Sequence, residues 1–110
     1  MAKEVSLNAL MNYISRRWKF SGEHYQGFDA LDERGKQLFP LRHSTLHICK
    51  SLGRLASEAE GADHGDPVDE QQIRIAAAKL AATALNLWSH FGGEPEGLAD
   101  LIEAVIRGEM

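Results

Sequence analysis

Apolar residues recur at three- and four-residue intervals through most of this 110-residue chain, the mark of helices that bury one face. Leu7, Leu10, Ile14 and Trp18 predict a first helix from about Val5 to Trp18. Pro40 suits a first helical turn and predicts a second helix from there to about Ala62. Its stripe is Leu41, Thr45, Ile48, Leu52, Leu55 and Ala59, within about 40° of one line at 100° per residue. A third helix starts in the turn Asp66-Pro67-Val68-Asp69, where an Asp can cap, and ends at Phe91 before Gly92-Gly93. Ile73, Ala77, Leu80, Ala84, Leu87 and Phe91 form its stripe. A fourth runs from Pro95 to about Arg107, with Leu98, Leu101, Ile102 and Val105 on one side. No alternating run bounded by turn residues reads as a strand, so the expected class is all-α.

The third helix is also apolar off its stripe, at Ile75, Ala78, Ala82 and Leu85. A helix apolar on two faces is central in its bundle or shared with a second subunit. The expectation is therefore a single four-helix domain spanning residues 1–110 and completed by self-association as a dimer or tetramer. Residues 19–40 are the exception to the helical pattern. Five of the eight aromatics fall between positions 18 and 39: Trp18, Phe20, Tyr25, Phe28 and Phe39. Phe28–Arg34 predicts a short helix there. The segment reads either as a loop pinned by its aromatics or as a wall that stacks on a flat ligand such as a base.

Composition narrows the function classes. The hydrophobic fraction of 44% suits one globular core, and the single cysteine, Cys49, excludes an internal disulfide. A net charge of −4 argues against general nucleic-acid binding, which needs a strongly basic face. No apolar run reaches the roughly 18–20 residues that cross a bilayer, and the first residues lack a secretory pattern. A cytoplasmic protein is expected. Acid is concentrated in residues 58–70, where Glu58, Glu60, Asp63, Asp66, Asp69 and Glu70 occur without Lys or Arg.

The second helix has a polar stripe of His43, His47, Lys50 and Arg54, with Ser51 and Glu58 less aligned. The third has Lys79, Thr83, Asn86 and His90. Packed antiparallel, the two stripes would either meet in one cleft or both face water. His43 and His47, four apart, suit two ligands on one metal ion, with a third from Glu58, Glu60, Asp63 or His64. The zincin pattern is absent, since position 44 is Ser. Cys49 reads as a small core residue rather than a reactive thiol. No glycine-rich phosphate loop precedes a helix.

The stretch Leu46-His47-Ile48-Cys49-Lys50-Ser51-Leu52-Gly53-Arg54-Leu55-Ala56 resembles the metal helix of the MazG-type all-α nucleotide pyrophosphohydrolases. That family carries two Glu, Leu, Gly, Glu, Leu where this chain has Lys50-Ser51-Leu52-Gly53-Arg54-Leu55. Its Glu-x-x-Asp motif would fall near Ala76-x-x-Lys79, followed by a packing segment like Leu80-Ala81-Ala82-Thr83-Ala84-Leu85-Asn86-Leu87. The resemblance spans about residues 41–91. It implies an oligomeric MazG-like helical bundle in which carboxylates hold Mg²⁺ against a nucleoside triphosphate and water releases pyrophosphate.

The framework Leu52, Gly53, Leu55 and Ala56 is kept and the three acids are not. Cations at positions 50, 54 and 79 would repel Mg²⁺, so Mg²⁺ is expected only if the acids of 58–70 replace the family ligands. Three readings follow. The first is a cleft in which Lys50, Arg54, Lys79, His43 and His47 bind a nucleotide or other phosphorylated ligand, with hydrolysis lost or altered. The second is a small oligomeric interaction or scaffold protein without a catalytic site. The third is a hydrolase rebuilt around a divalent metal on His43, His47, Glu58 and Asp63.

Overall fold

A computed structural model describes residues 6–110. Among the described residues there are four α-helices, α1 (Leu7–Arg17), α2 (Glu33–Asp63), α3 (Glu70–His90) and α4 (Pro95–Ile106), and one short 3₁₀ turn. Among the described residues there is no strand, so the fold is all-α. The chain divides into two compact units. One comprises the described residues up to Lys19 together with Leu85–Met110; the other is Phe20–Ala84. The division falls within α3.

In the first unit, Ser6 caps α1 by accepting the Ala9 N–H, at 3.3 Å. Val5, the expected start, lies outside the described residues. Met11 and Ile14 are the buried residues of α1, and α4 packs on the same helix. Leu10, part of the expected stripe, is exposed. Pro95 opens α4, where a missing N–H costs nothing. The turn before it is held by Trp88, whose indole N–H donates to the Glu94 carbonyl at 3.0 Å. Gly93 passes so close beneath that indole that a Cβ there would overlap it. Asn86, 2% exposed, donates from Nδ2 to the Trp18 carbonyl at 3.3 Å. Its Oδ1 is also buried.

In the second unit, α2 starts seven residues before the expected point. Asp32 caps it by accepting the Gly35 N–H at 2.7 Å, and Pro40 lies inside the helix, buried. An internal proline leaves the Lys36 carbonyl without its usual donor. The turn ahead of it is held by Phe39, whose ring packs on Tyr25, Phe28 and Phe20 at 5.0, 5.3 and 5.9 Å between centroids. The aromatic segment is thus a compact loop against α2, with a 3₁₀ turn at Phe28–Ala30 in place of a helix to Arg34. Gly27 enters that turn at φ 91°, a conformation glycine adopts without strain.

The buried face of α2 also differs from expectation. Pro40, Ser44 and Ser51 are buried and Ile48, Leu55 and Glu58 half-buried, whereas Leu41, Thr45, Leu52 and Ala59 are exposed. At 100° per residue the inward line is turned by about 60°, away from the leucines and toward small side chains. Ser44 is 2% exposed; Leu52 is 51% exposed. Cys49, expected in the core, lies about 140° from the observed inward line and is exposed. On α3, Ala76 and Thr83 are buried and Ile73 and Leu80 half-buried, while Ala77, Ala84 and Phe91 of the expected stripe are exposed.

Candidate functional site

The chemistry-bearing side chains of α2 follow one line: His43, His47, Lys50, Arg54 and Glu58, at successive steps of four, three, four and four residues. Such spacing stacks side chains on one helical face. The first member is embedded in the aromatic cluster. The His43 ring stacks on Phe39 at 5.3 Å and 9°, and meets Tyr25 at 4.5 Å and Phe20 at 6.3 Å nearly edge-on. Its Nε2 lies 3.0 Å from Nε2 of His47, so one imidazole donates and the other accepts. Burial first, then the charges of His47 and Lys50, hold the His43 pKa below its ordinary value.

Lys50 and His47 are exposed along the same line. Arg54 pairs with Glu58 at 3.5 Å, and the other Glu58 oxygen accepts the Asp69 N–H at 3.0 Å. Glu58 therefore serves the turn that joins α2 to α3. Asp69 in turn accepts the Gln72 N–H at 3.2 Å, capping α3.

The sequence-predicted sets are only partly brought together. His43, His47 and Lys50 are contiguous. Lys79 is exposed on α3, with no ion pair to a described residue. Thr83 and Asn86, expected on a polar stripe, are buried, and Asn86 and His90 belong to the other unit. Among the described residues no group of three or more His, Cys, Asp or Glu is placed to share a metal ion. His43, His47, Glu58 and Asp63 thus do not converge; Glu58 is committed to Arg54 and Asp69, and Asp63 ends α2.

A family-type Mg²⁺ centre does not fit these residues. Lys50 and Arg54 bring positive charge where carboxylates would be needed, and Ser51 is buried at 8% exposure. What sequence periodicity could not show was the aromatic clasp on His43. Its signal was present as the density of aromatics before Pro40, without anything to aim it at that histidine. Compared with protein-family models, curated proteins and solved structures, the chain matches none. No helix among the described residues is long and apolar enough to cross a membrane.

Proposed function

We propose that this chain is a MazG-related helical protein that binds a nucleotide or similar phosphorylated small molecule on the α2 line, without family-type Mg²⁺-dependent hydrolysis. One observation carries the reading. Lys50 is exposed beside the His43–His47 pair, and among the described residues it has no carboxylate partner. A lysine without a counter-charge, flanked by imidazole N–H groups, attracts an anion, and a phosphate satisfies several N–H donors together. Lys50 and Arg54, four apart, can converge on one phosphoryl group. Lys79 would add a third cation, and the rings of Phe39 and Tyr25 offer aromatic surface at the other end of the line.

Thermal unfolding followed by circular dichroism tests this directly. A ligand at 100 times its dissociation constant adds about 2.7 kcal/mol to stability. Nucleoside triphosphates or pyrophosphate should raise the wild-type melting temperature, and Arg54→Glu should abolish the rise. An equal response in the variant, or none in the wild type, rejects the reading.

A second reading, self-association, has its own support. Leu41 and Leu52, about 20° apart on one face of α2, are exposed at 43% and 51%. Apolar surface repays burial at about 25 cal/mol per Å², which favours a partner helix there. Sedimentation at micromolar concentration should give a mass above that of one chain, and Leu52→Glu should lower it. A monomeric wild type would refute this.

A further inference from the structure

We infer that His43 and His47 form a two-imidazole site for a divalent transition-metal ion of the zinc or copper type. The geometry is the argument. Tetrahedral zinc with Zn–N bonds of 2.0–2.1 Å places two ligand nitrogens about 3.3 Å apart. The two Nε2 atoms stand at 3.0 Å, so an ion bound to both, off the line that joins them, requires a small turn of each ring and a separation greater by only a few tenths of an ångström.

Preorganisation comes from the ring stack. Phe39 lies parallel to the His43 imidazole and Tyr25 closes on its edge, so the first ligand is held before the ion arrives. His47 follows one helical turn later, and its ring already meets that of His43 at 4.6 Å. In the present pair one Nε2 carries a proton. Ligation moves that proton to Nδ1, where the accepting ring already carries its own, and leaves both Nε2 lone pairs for the metal.

The site is open. No third His, Cys, Asp or Glu among the described residues joins it, so two coordination positions are left for water or an incoming oxygen ligand. Cys49 is two residues beyond His47, on the far side of the helix, and takes no part. Imidazole pairs suit zinc, copper and nickel and do not suit Mg²⁺. This inference is independent of the phosphate reading, because the probe is the metal alone.

The test is titration of the untagged, full-length protein with Zn²⁺ in phosphate-free buffer at neutral pH. Heat of binding and imidazole ¹⁵N resonances are both followed. The expected result is one ion per chain, with the Nε2 resonances of His43 and His47 both shifted and those of His24, His64 and His90 unmoved. His47→Gln, at an exposed position, should weaken binding at least about tenfold, since it removes one arm of a chelate. Cys49→Ser should bind as the wild type does. Absence of binding, shifts at other histidines instead, or an unaltered His47→Gln variant would each overturn the assignment. The wild-type resonances decide the matter even if a variant folds poorly.

Discussion

Glu58 and Asp69, eleven residues apart, are joined by a 3.0 Å hydrogen bond from the Asp69 backbone N–H to the Glu58 carboxylate. The same carboxylate pairs with Arg54, and its side chain is only 15% exposed. A residue from the acid-rich segment thus closes the turn between α2 and α3 while neutralising one cation of the α2 line.

Removing that carboxylate should loosen the turn. Glu58→Ala is expected to lower unfolding free energy by about 1–2 kcal/mol, and Glu58→Gln, which keeps an acceptor, by less. Urea denaturation measures both. Arg54→Ala, removing a mostly solvated partner, should change stability by under about 1 kcal/mol.

Stability should fall on mild acidification. His43 in the folded chain has a pKa below the 6.5 of an unfolded histidine, because of burial and the charges of His47 and Lys50. As pH drops, the unfolded state therefore takes up this proton first. The contribution is whole above pH 6.5 and is lost between 6.5 and the lower folded value. Urea midpoints on either side of that window should show the decline, and His43→Gln should flatten it.

Asn86 is expected to tolerate little. Asn86→Ala removes its bond to the Trp18 carbonyl from a position that is 2% exposed. Loss of about 1–3 kcal/mol is expected by chemical denaturation, the usual cost of stranding a buried polar group.

Gly93→Ala should displace the Trp88 indole, since the added methyl would overlap it. The bond to the Glu94 carbonyl would then break. A cost of about 1–3 kcal/mol is expected, with a moved or broadened Trp88 indole N–H resonance as the direct sign.

Helix number and the ends of α3 and α4 were legible because capping residues and apolar spacing act locally. Asp69 before α3 and Pro95 at the start of α4 carried their own signals. The start of α2 was not legible. Pro40 advertises a first turn, and only its tertiary setting, with Phe39 packed on three other rings, lets the helix run through it. The inward face of α2 was misjudged for a related reason. Periodicity ranks side chains by hydrophobicity alone, and Ser44 and Ser51 are buried where Leu41 and Leu52 were expected to be. The polar line His43–His47–Lys50–Arg54 was readable from spacing alone. The Arg54–Glu58 pair, four residues apart on the same helix, lay in that spacing too, whereas the aromatic rings around His43 depended on a loop whose course no spacing encodes.

Both tryptophans, Trp18 and Trp88, fall in the unit that contains α1 and α4, whereas the unit bearing the α2 line holds Tyr25 and no tryptophan. The molecule is in that sense optically partitioned. Indole emission reports on the Asn86 and Glu94 attachments, and Tyr25, in edge contact with His43, is the natural chromophore for events at the histidine pair. A tryptophan introduced at Phe39, stacked on the same imidazole, would turn that silent end of the chain into a reporter of whatever settles there.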